Sequence, residues 1–414
     1  MARVATAAGQ IVISLFLLKA YGPAAVGLFA VFISNTMLAS LVSRQGFDRT
    51  LTLFAVRQRA SGHALPLFRS YARSIVLWLP LTGLLNVLVY LATIPQAPAS
   101  GTIVQLLLLP TVVALSSLAA GYFTGTGRTT AATVQQPGFS VAVTAFVLAA
   151  CFALGVPLDV YATYFAVAVL LAASGLVRIL RGTPRTRSAA AAGGVPARVA
   201  RLARGYSRRY FVINFFTTFS SVYFISFLAL FVAHDLIGQF RVVERLALVI
   251  AFNLTFINIL LPAGAIGRRL AKDHARFDRA MRQTFLFQYA TGLGIFLLYL
   301  VFMDRVMAWI EVDNPFLYVL PLAAQLVNAL TGPVRVILMY LGGQRVLQVS
   351  AVAETLGAAL LYWALYAAWG LTGLAVAYFL AIAVPNLVLA GIVHARFGIV
   401  PLPFVTPSAR GRPL

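Results

Sequence analysis

Residues 346–393 read VLQVSAVAETLGAALLYWALYAAWGLTGLAVAYFLAIAVPNLVLAGIV, and Glu354 is the one charged side chain among them. A bilayer core of about 30 Å needs about 20 apolar residues per helix, so this stretch predicts two spans, 346–369 and 371–393. Ten further apolar runs of similar length precede it, at 4–21, 24–43, 71–93, 102–120, 133–154, 160–180, 210–232, 237–262, 284–303 and 315–340. We therefore expect an all-α polytopic membrane protein with twelve transmembrane helices.

The composition of the whole chain excludes a soluble protein. Its 414 residues are 61% hydrophobic and 10% charged, with a mean hydropathy of +0.90, whereas soluble chains average about 45–50% apolar and about 25% charged residues. The net charge of +22 does not indicate a nucleic-acid partner, because the arginines lie in clusters between apolar runs.

The arginine clusters predict the orientation of the chain, because basic residues accumulate in cytoplasmic loops. With the N-terminus inside, 27 of the 32 basic residues fall on the cytoplasmic side, and so does the C-terminus. The opposite side then receives the acidic residues Asp159, Asp235, Asp304, Glu311 and Asp313. The external connections are short, which leaves no room for a catalytic domain.

Two pairs of similar short sequences indicate an internal duplication of the chain. Val26-Gly27-Leu28-Phe29 at the start of the second span is similar to Ile237-Gly238-Gln239-Phe240, and Gly125-Thr126-Gly127-Arg128 is similar to Gly342-Gly343-Gln344-Arg345. Six spans per half give both halves the same orientation, so we expect two six-helix lobes related by a pseudo-two-fold axis along the membrane normal. The predicted domains are lobes 1–180 and 210–393, a basic cytoplasmic linker 181–209 with an amphipathic helix, and a cytoplasmic tail 394–414.

The linker has two interpretations. Arg198, Arg201, Arg204 and Arg208 share one helical face, with Val199, Leu202 and Tyr206 on another. This pattern fits an amphipathic helix on anionic lipid headgroups. An ordinary cytoplasmic linker that follows the charge rule explains it equally well.

Several motifs resemble the O-antigen and polysaccharide flippases of the Wzx type, which share the MOP superfamily with MATE exporters and the lipid II flippase. They are, in chain order, Lys19-Ala20-Tyr21-Gly22-Pro23, Gly27-Leu28-Phe29, Gly46-Phe47-Asp48-Arg49, Ile237-Gly238-Gln239-Phe240, Glu244-Arg245-Leu246-Ala247, Leu260-Leu261-Pro262, Gly332-Pro333 and Gly342-Gly343-Gln344-Arg345. The resemblance implies translocation of an undecaprenyl-diphosphate-linked oligosaccharide between leaflets of the bacterial cytoplasmic (inner) membrane. Polysaccharide polymerase and chain-length proteins are then the expected partners, besides membrane lipids.

Ionisable residues within the spans are the candidate site, because each costs about 2.5–3.5 kcal/mol at a helix centre on insertion scales. Arg241, Glu244 and Arg245 share one face of span 8, and Arg335 lies in span 10. Arginine binds phosphate oxygens in a bidentate fashion and stays charged. We therefore expect Arg241, Arg245 and Arg335 to bind the diphosphate.

Other residues complete the predicted site. Gln10, Asn35, Gln325 and Asn328 could bind sugar hydroxyls, and the resemblance adds Lys19 and Arg49 to the substrate-binding candidates. The candidates for ion coupling are Glu244, Glu354 and Asp48, because an intramembrane carboxylate can be neutralised by a proton.

Each candidate has a structural alternative. Arg241, Glu244 and Arg245 could form an interfacial ion pair with a snorkelling arginine, and Arg335 could neutralise Glu354. Lys19 could snorkel from a helix end, while Asp48 and Arg49 could form a solvated pair in a loop.

The sequence offers no sign of catalysis, a cofactor or a metal site. It has no GxxxxGK[ST], H-E-x-x-H or GxSxG motif, one cysteine (Cys151) and four scattered histidines. We expect a transporter rather than an enzyme. A MATE-like exporter of small organic molecules and a non-transporting scaffold of glycan assembly stay open as alternatives.

Overall fold

The computed structural model describes residues 2–57, 64–94, 100–156, 159–181, 197–218, 222, 224–254, 257, 274–341 and 343–399. These residues form helices and turns, and none of them lies in a β-strand, which agrees with the predicted all-α class. The helices, numbered in chain order, are α1 Ala2–Tyr21, α2 Pro23–Arg44, α3 Phe47–Arg57, α4 Ala64–Leu77, α5 Leu79–Thr93, α6 Ser100–Gly125, α7 Thr129–Val134, α8 Pro137–Ala153, α9 Val160–Arg181, α10 Ala197–Thr218, α11 Phe224–Leu228, α12 His234–Ala247, α13 His274–Val301, α14 Met303–Ile310, α15 Pro315–Thr331, α16 Val334–Tyr340 and α17 Gln344–Phe397.

The chain is a multi-pass membrane protein. Within the described residues, six helices are long and apolar enough to cross a membrane, or seven if the bent pair α4–α5 is taken as one span. Lipid-facing surface is visible on α5, where Leu84, Leu88 and Leu91 are 51%, 55% and 52% exposed on one side. Such an apolar stripe would be unfavourable in water and is stable against lipid.

The third predicted span is longer than expected and bent. It begins at Ala64 instead of residue 71, and α4 and α5 meet at Trp78 at an angle of 51°. Pro80 lies in the first turn of α5, where it lacks an N–H and its ring crowds the carbonyl of Val76. The bend follows from that proline.

Helix α17 contains the two spans predicted at 346–369 and 371–393. A straight helix of its 54 residues would be about 80 Å long, more than twice the thickness of a bilayer core. Gly370 interrupts it with φ 56° and ψ −133°, a backbone conformation that is open to glycine and strained for other residues.

Replacing Gly370 with alanine is expected to destabilise the protein by about 1–3 kcal/mol, through backbone strain alone. No atom lies within 4 Å of the added methyl group, so steric overlap does not contribute. Thermal unfolding of the purified protein measures the effect. The matched control is Gly391→Ala in the same helix, also with open space around it, and it should be neutral or stabilising. Equal melting temperatures for both variants would contradict the strained turn.

The predicted cytoplasmic links contain helices that the hydropathy pattern did not predict. Helix α3 occupies most of the first link, and α10 runs unbroken from the amphipathic part of the linker into the predicted span 210–232. The two helices pack together, because Ser207 Oγ donates to Thr50 Oγ1 at 3.0 Å and Tyr206 contacts Phe54 edge to face. Arg201, Arg204 and Arg208 are exposed on the other side of α10.

The chain divides into two compact units, Met1–Gly238 and Gln239–Leu414. A buried core of the first unit joins α3, α4, α6 and α10 around Phe47, Leu118 and Ala203. A core of the second joins α13, α16 and α17 around Phe285, Ile337 and Leu389. The division into lobes 1–180 and 210–393 and the tail 394–414 stays a prediction.

Candidate functional site

Helix α12 carries a buried cluster of charged residues, which we call the α12 charge cluster (Arg241, Glu244 and Arg245). Arg241 is 6% exposed and Glu244 3% exposed. Arg241 Nη1 donates to Glu244 Oε2 at 2.5 Å, and Arg245 Nε lies 4.0 Å from the same oxygen. The i, i+3, i+4 spacing thus places two guanidinium groups near one carboxylate, and the cluster has a net charge of +1.

A second buried group, which we call the amide chain, lies in α15 and α17. Asn386 Nδ2 donates to Asn328 Oδ1 at 3.2 Å, and Asn328 Nδ2 donates to Gln325 Oε1 at 3.1 Å. Gln325 Nε2 in turn donates to the hydroxyl of Tyr378 at 2.8 Å. The predicted sugar-binding residues Gln325 and Asn328 are therefore in contact, and each amide supplies both a donor and an acceptor.

Tyr378 connects the amide chain with helix α12. Tyr378 packs edge to face on Phe240 of α12, with ring centroids 5.3 Å apart. Both Tyr362 and Tyr378 are almost fully buried. Through Tyr378, the amide chain therefore lies next to the helix that carries the α12 charge cluster.

The remaining predicted arginine, Arg335, forms a separate pair. Its Nη2 donates to Glu354 Oε2 at 2.8 Å, and Ser350 donates to the other carboxylate oxygen. The Arg335 side chain is 39% exposed and that of Glu354 8% exposed. This is the mutual neutralisation that the sequence offered as an alternative for these two residues.

The expectation of a solvated pair between Asp48 and Arg49 in a loop is wrong. Both residues lie in the first turn of α3, and Asp48 Oδ2 accepts from Arg44 Nη1 at 3.3 Å, while Arg49 is exposed. The helical i, i+4 spacing across the short α2–α3 turn brings Arg44 to the carboxylate. Sequence reasoning missed this pairing because it took the segment for a loop.

The two candidates on α1 are less buried than the α12 charge cluster. Lys19 is exposed near the end of the helix, in agreement with a snorkelling position, and Gln10 is half-buried. Asn35 of α2, a further polar candidate, is 1% exposed and donates to Thr93 Oγ1 at 2.8 Å.

The sequence alone did not indicate Tyr362, Tyr378 or Asn386 as site residues. Tyrosines within apolar spans are packing residues by default, and their contacts with α12 depend on the tertiary fold. Asn386 did carry a signal, because an amide inside a span is costly unless it is bonded. In the described part of the chain, no group of three His, Cys, Asp or Glu residues could hold a metal ion.

Gly27 and Gly238, the glycines of the first pair of similar sequences, lie at a close helix crossing in the first unit. A Cβ atom on Gly27 would overlap the carbonyl oxygen of His234, and one on Gly238 would overlap that of Pro23. Each added atom would also lie 2.7 Å from the carbonyl carbon of that residue and 3.1 Å from the opposite glycine nitrogen. The contact is thus reciprocal, which is the geometry of a local two-fold axis.

The sequence matches no protein-family model and no curated protein. Solved structures, in contrast, match over nearly the whole chain. An inward-facing multidrug resistance transporter of the MATE family and MOP superfamily has a TM-score of 0.67 at 11% identity, covering 96% of this chain and 94% of that one. The MATE multidrug transporter DinF-BH has a TM-score of 0.65 at 15% identity, covering 95% and 93%.

The lipid II flippase MurJ, in an inward closed conformation, has a TM-score of 0.57 at 11% identity, covering 95% of this chain and 86% of that one. All three neighbours are described as transporters or a flippase. At these identities the likeness concerns the fold, and the chain has the fold of the MATE and lipid II flippase transporters of the MOP superfamily.

Proposed function

We propose that this protein is a flippase that moves an undecaprenyl-diphosphate-linked oligosaccharide from the inner to the outer leaflet of the bacterial cytoplasmic membrane. The observation that carries the proposal is the excess of arginine over carboxylate among the candidate residues of the second unit. Among these candidates are three arginines, Arg241, Arg245 and Arg335, and two carboxylates, Glu244 and Glu354. A positive site within apolar helices attracts an anionic headgroup.

The alternative is a MATE-like exporter of small organic cations, which the TM-scores of 0.67 and 0.65 favour at the level of the fold. A cation site needs a carboxylate that is open to the cargo. Here Glu244 and Glu354 are each in contact with an arginine, at 2.5 Å and 2.8 Å. This charge arrangement favours the anionic cargo.

The amide chain supports a glycan as the other part of the cargo. Sugar hydroxyls both donate and accept hydrogen bonds, as Gln325, Asn328 and Asn386 do. The polyprenyl tail needs no polar partner and can stay in the lipid. The scaffold alternative requires polar residues that do not converge, whereas Tyr378 bonds to Gln325 of the amide chain and packs on Phe240 of α12.

Alternating access is the mechanism we propose, with two six-helix lobes that expose the site first to the cytoplasm and then to the outer side. The reciprocal contact of Gly27 and Gly238 supports it, because duplicated halves related by a two-fold axis bring equivalent residues together. Both termini then lie in the cytoplasm. The twelve spans of this scheme include the short apolar segments Gly9–Tyr21 and Pro137–Ala153 and both parts of α17.

Removing the Arg241–Glu244 ion pair of the α12 charge cluster, while Arg245 is kept, is expected to abolish transport without unfolding the protein. The variant Arg241→Met/Glu244→Leu replaces the ion pair with apolar residues of similar size, a change that is often neutral for stability. In proteoliposomes containing a fluorescent polyprenyl-diphosphate disaccharide, we expect its initial rate of translocation to fall at least tenfold. Access of an external glycosidase to the sugar measures the rate.

The control for this experiment is Arg305→Met, which removes an exposed arginine and should transport at the wild-type rate. A well-folded double variant with unchanged translocation would remove Arg241 from the site. Efflux of an organic cation dye by the wild type, without translocation of the lipid-linked sugar, would establish the exporter instead.

A further inference from the structure

We propose that Glu244 is an internal competitor for the cargo: its carboxylate occupies on Arg241 the place that a phosphate group takes when substrate binds. This inference rests on the proposed function, because it names how the same site is held between transport events. The observation behind this inference is that one carboxylate oxygen of Glu244 lies close to both Arg241 and Arg245.

The geometry makes the carboxylate a substitute for a phosphate. Glu244 Oε2 accepts from Arg241 Nη1 at 2.5 Å, within a cluster where both side chains are at most 7% exposed. Carboxylate and phosphate oxygens bind the guanidinium fork through the same charge-assisted hydrogen bonds. An arginine that is buried without an anion would be costly, so Glu244 keeps the empty site stable.

The surroundings also offer Glu244 an alternative partner once a phosphate takes Arg241. Arg245 Nε lies 4.0 Å from the same oxygen, and the side chain of Arg245 is 16% exposed. A shortening of that distance by about 1 Å would give a hydrogen bond.

A built-in competitor has a functional consequence for a transporter. A diphosphate that met two unopposed arginines in a low-dielectric site would bind tightly and leave slowly. Displacing the Glu244 carboxylate lowers the net affinity, and its return to Arg241 assists release. We therefore expect Glu244 to set a moderate affinity rather than to contact the cargo directly.

The test is the affinity of the purified full-length chain for farnesyl diphosphate, with Glu244→Gln as the variant. Glutamine keeps an oxygen that accepts a hydrogen bond from Arg241, but it has no negative charge that competes with the phosphate. We expect Glu244→Gln to bind the probe roughly tenfold more tightly than the wild type, which corresponds to about 1.4 kcal/mol. The variant should also show a lower melting temperature without ligand and a larger rise on adding the probe. Farnesol should bind neither protein in this way.

Glu311→Gln is the matched control, because it removes the same charge at an exposed position of the second unit, and its affinity should equal that of the wild type. If Glu244→Gln does not fold, Glu244→Asp keeps the charge but withdraws it by one methylene, and roughly a twofold tighter binding is expected. Equal or weaker binding by the folded variant overturns the inference and leaves the proposed function standing. No saturable binding by either wild type or variant overturns the proposed function as well.

Discussion

A single methyl group at Gly27 is expected to destabilise the protein by about 3 kcal/mol or more, an unusually large effect for a Gly→Ala substitution. The neighbour of the added carbon is the main-chain carbonyl of His234, which cannot rotate away as a side chain can. Small residues at helix crossings allow backbones to approach closely, and α2 and α12 would have to separate to admit alanine. Thermal unfolding of the purified protein measures the loss.

Because the contact between Gly27 and Gly238 is reciprocal, the same loss of stability is expected for both positions. Gly238→Ala should cost about as much as Gly27→Ala, because the distances from the added carbon to its neighbours are the same at the two positions. The double variant should cost little more than either single one, since separating the helices once relieves both overlaps. Gly357→Ala in α17, with no atom within 4 Å of the new methyl group, is the control and should be stabilising. Additive losses, or a stable Gly27→Ala protein, would contradict the close crossing.

Removing Arg241 alone is expected to cost up to about 3–5 kcal/mol of stability, because it takes the hydrogen-bonded partner from a buried carboxylate and leaves only Arg245 of the α12 charge cluster, at 4.0 Å. Glu244 is 3% exposed and has Arg241 as its near ion-pair partner, at 2.5 Å. Arg241→Met should therefore lower the melting temperature strongly. Adding Glu244→Leu to that variant should restore most of the lost stability, although both charges are then missing.

The comparison of single and double variants separates a structural from a functional role of the pair. A stable double variant without transport assigns the charges to the cargo, whereas a stable double variant with normal transport assigns them to the fold. Arg305→Met, at an exposed position, should change stability by no more than about 0.5 kcal/mol. A wild-type melting temperature for Arg241→Met would show that Glu244 does not depend on this arginine.

The membrane class and many helix bounds could be predicted because hydropathy is a local property of the chain. The second and sixth spans, predicted at 24–43 and 160–180, correspond to Pro23–Arg44 and Val160–Arg181. Helix α3 was not predicted, and the amphipathic helix predicted in the linker was not expected to continue into the next span, because tertiary contacts determine both features. Helix α3 and the continuous helix α10 carry many charged residues, and they are stabilised by packing on each other and on α4 and α6.

The candidate site likewise has features that the sequence determined and features that only the tertiary structure decided. The spacing of Arg241, Glu244 and Arg245 places them on one helix face whatever the fold, and the sequence therefore determined that they form one cluster. Only the tertiary structure decided that Gln325 bonds to Tyr378, that Arg335 bonds to Glu354 and that Gly27 meets Gly238. The physical reason is the distance along the chain over which each effect acts. Hydropathy and i, i+4 spacing act within one helix. These contacts join residues from 19 to more than 200 positions apart, so they depend on how the helices pack.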